Sequence, residues 1–212
     1  MRSRPTPPPH SLRRKRWQDV ELVAIDFETT GLDLRRDAVV SFGLVPVSSG
    51  RIDLSRALYR MVSPSAPLSH GSIAIHHLRP ADLAEAPPLA EIADQLRAGL
   101  EGRFLLTWSA EIEATFLARL FGGRVRRWLA RSIDVLRLSL LADRIEGTSP
   151  FEGSYSLADT VARAGLPVEE AHDALNDALM TAEMFLVKAA RLAPHGFTNI
   201  RSLLRPPTGK TL

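Results

Sequence analysis

The 212-residue sequence contains no cysteine. That excludes a disulfide framework, a thiolate zinc site and a cysteine nucleophile, and it suits a reducing cytoplasm. Long apolar runs are missing too. Nothing approaches the ~18 consecutive apolar residues of a membrane span, and the basic N-terminus leads into no apolar segment ending at a small-residue cleavage site. The expectation is a soluble, cytoplasmic protein that engages no membrane. Acidic residues are lacking at one end only. Residues 1–16 hold six of the 27 Lys and Arg (Arg2, Arg4, Arg13, Arg14, Lys15, Arg16) and no acid, which leaves 21 basic residues against 24 acids in the rest of the chain. A mildly acidic body argues against a broad electrostatic wrap around nucleic acid and for a defined cleft. The 13 Gly and 15 Pro are no excess, so neither a collagen-like nor a wholly disordered chain is expected.

What is present fits one globular domain with tails: 45% of residues are hydrophobic and 24% charged. Residues 1–18, with Pro5, Pro7, Pro8 and Pro9 ahead of the basic cluster at 13–16, read as a disordered basic arm. Residues 194–212 read as a flexible tail, leaving 19–193 as the folded domain. The runs 21–26 and 38–47 are apolar or β-branched and predict strands; 51–62 alternates loosely and predicts a hairpin partner after the turn at 48–50. A proline-punctuated stretch follows. Helical periodicity appears at 89–100, a buried strand is expected at 104–108, and helices are expected near 110–121, 134–144, 156–165 and 173–192. Three strands followed by alternating strand and helix predict an α/β fold with a mixed central sheet flanked by helices.

The segment richest in chemistry runs from Asp26 through Phe27, Glu28, Thr29, Thr30 and Gly31 to Leu32. Two acids two residues apart on a strand project from one face, and like charges so held are costly unless a cation lies between them. Alone, such a pair more often just ends a strand at solvent. A second cluster, His172-Asp173-Ala174-Leu175-Asn176-Asp177, opens the last long helix, and Asp173 there reads as a helix cap. His70, His76 and His77 lack both thiols and a helical His-x-x-x-His spacing, so they make a poor zinc site.

Together these two segments resemble the DEDD-type 3′-to-5′ exonucleases with a catalytic histidine, the family of the proofreading epsilon subunit of bacterial DNA polymerase III. The family's first motif matches at Asp26, Glu28, Thr29, Thr30, Gly31 and Leu32, and its third at His172, Ala174, Asp177 and Ala178. The second departs from the pattern: Ala110, Phe116 and Leu117 fix a register that puts Glu113 where the family has Asp, with Trp108 and Ser109 in place of His and Asn. The resemblance implies a ribonuclease-H-like exonuclease fold and a metal set of Asp26, Glu28, Glu113 and Asp177 holding two Mg²⁺ or Mn²⁺ ions. It implies His172 as general base beside catalytic Asp26 and Glu28, and substrate contacts from Thr29, Thr30, Gly31, Leu32, His76, Trp108 and Ser109. Carboxylates suit hard divalent ions, and histidine is the side chain that most readily changes charge near neutral pH.

The activity so implied is two-metal hydrolysis of single-stranded 3′ ends to nucleoside 5′-monophosphates, on DNA in preference to RNA, with a DNA polymerase as a possible partner and proofreading or repair as the setting. The rivals are a catalytically weakened nucleic-acid-binding or polymerase-associated subunit, with Glu113 marking decay, and an RNA-trimming exoribonuclease.

Overall fold

The computed structural model describes residues 3–31, 33–147 and 155–206. Its centre is a six-stranded mixed sheet. Strand β1 (Leu22–Thr29) pairs antiparallel with β2 (Val39–Ser48) and parallel with β5 (Phe104–Thr107), which in turn pairs parallel with β6 (Ser132–Asp134). Along its outer side β2 carries two short antiparallel strands, β3 (Arg51–Ile52) and β4 (Leu58–Met61). The single strand expected over 51–62 is therefore broken. Asp53 accepts a hydrogen bond from the Ser55 N–H and starts a 3₁₀ turn over Leu54–Arg56, which lifts the chain off β2 between the two pieces.

β1 reads as an unbroken apolar run because both of its faces are covered. Leu22 and Ala24 enter a core with α5 (Val135–Ile145) and α7 (Ala174–Leu192); Val23, Ile25 and Phe27 enter a second core with α2 (Leu89–Leu100) and α3 (Ala110–Phe121). Complete burial of each such side chain is worth ~1.5–3 kcal/mol. The expected helices appear close to their predicted bounds, including α6 (Leu157–Arg163). The unanticipated elements are α1 (His70–His76), α4 (Val125–Leu129), β6 and α8 (Ile200–Leu204). Each spans three to seven residues, too few to set up a period that composition can reveal.

Both ends correct the sequence-based expectation. Residues 3–18 are not a free arm: Thr6 donates its N–H to Glu101 and accepts from the Gly102 N–H, both at 3.0 Å. Arg16 forms an antiparallel bridge with Asn199, and Trp17, 7% exposed, meets Phe185 edge-on at 5.3 Å. The expected tail contributes buried Phe197, Ile200 and Leu203 up to the end of α8. Proline and arginine content argued locally for disorder, whereas the anchors are apolar residues at the two ends that meet only in the fold. Among the described residues, no helix is long and apolar enough to cross a membrane.

Candidate active site

Asp26 and Glu28 lie on one face of β1, opposite Gly43 and Ser41 of β2. Helix α7 begins directly over that pair. A Cβ at Gly43 would lie 2.1 Å from the Ala174 carbonyl oxygen and 2.6 Å from the Leu175 Cα, so the glycine is what lets the first turn of α7 descend onto β2. Asp173 caps the helix, accepting the Leu175 and Asn176 N–H groups at 3.0 Å each. The preceding residue, His172, has φ 66°, the left-handed region that non-glycine residues rarely adopt. In that conformation its N–H points at both oxygens of Asp177, 3.4 and 3.3 Å away.

These constraints gather Glu28, His172 and Asp177 so that one ligand atom from each lies within 4.8 Å of the others. Asp26 and Glu113 complete the cluster electrostatically. Burial, then Asp177 and Asp173, push the Asp26 carboxyl well above the usual carboxylate range. Burial and then Asp26 push Glu28 up to about 9. Burial likewise raises Asp177 to about 6, with the nearby His172 pulling the other way. Glu113, in the first turn of α3 and 3% exposed, is raised by burial and by Asp26, and its Oε2 has no hydrogen-bond partner. Carboxyl groups crowded in this way can all ionise only with a cation among them, so an oxygen-rich donor set of this kind fits a hard divalent cation.

Asp134 secures the Glu113 side. It caps α5 through the Arg137 N–H at 2.9 Å and accepts the Ala110 N–H at 3.4 Å, tying the start of α3 to β6. Trp108 and Ser109 form the β5–α3 junction. Trp108 is half-buried, its side chain packed on the core and its carbonyl accepting from the Leu136 N–H, while Ser109 precedes the helix without a side-chain cap bond.

The loop after β1 is closed by its own side chains. Thr30 is fully buried. Its hydroxyl donates to Asp37 at 2.8 Å and accepts the Ala38 N–H at 3.1 Å. Its side chain thus holds the loop. Thr29 donates to the Gly31 carbonyl at 2.7 Å. Gly31 passes so close to Asp37 that a Cβ would lie 2.6 Å from Oδ2. Leu32 lies outside the described residues. His76 closes α1, 6% exposed, its Nδ1 accepting the Leu78 N–H at 3.0 Å; burial holds the imidazole below its ordinary range, against the pull of the Thr29 backbone. His70 and His76 stand at opposite ends of α1 and do not join a metal-holding group among the described residues. Sequence reasoning missed Gly43, Asp37 and Tyr59. Burial raises the Tyr59 hydroxyl, and Asp173 and Glu28 add to the rise. No local motif marks Asp37 or Tyr59, and Gly43 shows only as a glycine inside a strand.

The chain is 31% identical over 187 residues to a DNA polymerase III subunit epsilon-like protein of Rhodobacter capsulatus, covering 86% of this chain and 25% of that protein. It is 25% identical over 166 residues to the 3′-5′ exonuclease DinG of Staphylococcus haemolyticus, covering 78% of this chain and 17% of the relative. The chain therefore spans a quarter or less of these curated relatives. Among solved structures, E. coli exonuclease I in complex with a dA16 oligonucleotide superposes with a TM-score of 0.70 at 18% identity, over 84% of this chain and 42% of that one, a likeness of fold. The exonuclease family model matches residues 23–185, a span that holds Asp26, Glu28, Glu113, His172 and Asp177, and the chain belongs to the exonuclease family.

Proposed function

We propose that the protein hydrolyses single-stranded DNA from its 3′ end, releasing nucleoside 5′-monophosphates, with Mg²⁺ or Mn²⁺ as cofactor. The observation that carries this reading is the convergence of four carboxyl groups and one histidine from three distant segments, with carboxyl groups held above their ordinary range by burial and by one another. Asp26, Glu28, Glu113 and Asp177 are the residues that would hold the ions, which when bound would stabilise charge on the attacking and leaving oxygens. The chain's own residues do the rest. His172, exposed at the mouth, accepts a proton from the attacking water as its oxygen bonds to phosphorus. The bond from phosphorus to the 3′ oxygen breaks, and that oxygen takes up a proton. Thr29 and the Gly31 backbone seat the terminal nucleotide, with His76, Trp108 and Ser109 shaping the surrounding wall.

The epsilon-like relative and the oligonucleotide bound by exonuclease I support DNA over RNA and a polymerase as partner. The lack of cysteine supports a cytoplasmic setting. The test uses 5′-labelled single-stranded DNA and RNA with Mg²⁺, Mn²⁺ or EDTA. A ladder shortening one nucleotide at a time from the 3′ end, abolished by EDTA and faster on DNA, is expected. Immediate release of the 5′ label, or a rate indifferent to EDTA, contradicts the reading, and faster RNA trimming reassigns the substrate.

A further inference from the structure

A cavity of about 530 Å³ lies far from the carboxylates, between the N-terminal arm and the region around α4. Its lining includes Arg4, Arg13, Arg127 and Arg131 together with His10, and among the described residues no Asp or Glu lines it. Such a volume sits within the ~300–1,000 Å³ of small-molecule sites. Its cationic character is built in. Arg131 is 4% exposed, one guanidinium nitrogen donates to the Leu100 carbonyl at 2.7 Å, and its Nε has no hydrogen-bond partner. Burial lowers this guanidinium to about 10, with Glu101 opposing, so it stays charged at neutral pH at an energetic cost that an anion would offset. Arg13 is fixed through its bond to the Ala130 carbonyl at 2.8 Å.

We propose that this cavity binds a nucleoside polyphosphate at a site separate from the catalytic centre. Guanidinium forks match phosphate oxygens two at a time, and four of them suit a chain of phosphates better than a single one. The remaining wall is apolar, made by the rings of Pro5, Pro7 and Pro8, which suits the face of a base, while Phe104 and Trp128 back it from the core, the Trp128 ring lying under the Arg131 guanidinium at 5.1 Å. A peptide fits less well. The prolines have no N–H to offer a partner backbone, and the Thr6 N–H and carbonyl are already spent on Glu101 and Gly102. The substrate strand is disfavoured by position: Glu113 opens α3, whereas the cavity lies past its far end at Gly122, about 14 Å along the helix axis.

The test is isothermal titration of the full chain in EDTA, which withholds the divalent ions through which a triphosphate would engage the catalytic centre. The ligands are ATP, dGTP, inorganic triphosphate and a single-stranded oligonucleotide. Arg4→Glu and Arg127→Glu change exposed residues, so folding, checked by melting temperature, and DNA cleavage should be unaffected. One nucleotide per chain is expected, with affinity falling about ten-fold or more in each variant and inorganic triphosphate weaker by a similar factor. No saturable binding at millimolar nucleotide, equal affinity in the variants, equal affinity for inorganic triphosphate, or displacement by the oligonucleotide would each overturn the proposal.

Discussion

Glu113 is almost wholly buried, with one carboxylate oxygen lacking a partner and Asp26 close enough to raise its pKa. A surface glutamate shows none of these features, so its role is expected to be that of the Asp in the family pattern with one more rotatable bond. Single-turnover rates should therefore fall by several orders of magnitude in Glu113→Ala, and wild type should favour Mn²⁺ over Mg²⁺, which punishes imperfect geometry more severely. An Ala variant as fast as wild type would return Glu113 to a packing role. The same carboxylates give stability a pH dependence. Glu28 is raised to about 9 and Asp177 to about 6. The folded state thus binds more protons than the unfolded one between the ordinary carboxylate range and those values, and stability conferred by the protonated forms is lost as pH rises. Glu28 acts from the ordinary carboxylate range up to about 9, joined by Asp177 only below about pH 6. The EDTA-treated protein should melt several degrees lower at pH 9 than at pH 6, a slope that Glu28→Gln flattens and added Mn²⁺ reduces. A melting temperature rising over that interval would show that the acids are not crowded as described. Asp26, Glu28, His172 and Asp177 were legible in the sequence because each pair sits within six residues. Asp37 and Tyr59 were not, because what they touch is decided by a loop closure and a strand pairing.

The decisive junction between elements is the start of α7 on β2. Gly43 stands opposite Asp26, and the Ala174 carbonyl occupies the space a side chain would need. Gly43→Ala must displace backbone, so it should cost ~1–3 kcal/mol in stability and separate Asp177 from Asp26, lowering the single-turnover rate at least about 100-fold, as small displacements of catalytic groups do. An active, stable Gly43→Ala protein would show that the helix does not depend on this close approach. From sequence, Gly43 is one glycine inside a strand, a signal of close backbone approach in general, but the helix that approaches it begins some 130 residues later. The longer helices were legible from their periodicity, whereas α1 and α8 start on the Ser69 and Asn199 caps, β6 forms by pairing with β5, and α4 packs against α3.

Across the whole molecule, the described residues of both terminal segments cover the body instead of trailing from it. Trp17 against Phe185, the bridge between Arg16 and Asn199 and the clasp of Thr6 on Glu101 and Gly102 join the arm to α7, the start of α8 and the α2–β5 turn. Deleting residues 1–16 should therefore lower the melting temperature, by about 2–4 °C for each kcal/mol lost in a chain of this size, with cleavage retained at temperatures where the body stays folded. An unchanged melting temperature would mean that the arm adds nothing to the fold. Whether Asp26, Glu28, Glu113, His172 and Asp177 form one cation-dependent hydrolytic centre is decided by single-turnover cleavage of single-stranded DNA across a Mn²⁺ titration in wild type, Asp26→Asn and His172→Ala. Wild type should saturate with Mn²⁺ and be silent in EDTA. Asp26→Asn should stay near background at every concentration, and His172→Ala should saturate at similar Mn²⁺ but run about 10²–10⁴-fold slower. Wild-type rates in Asp26→Asn, or cleavage independent of Mn²⁺, would show that these residues form no such centre.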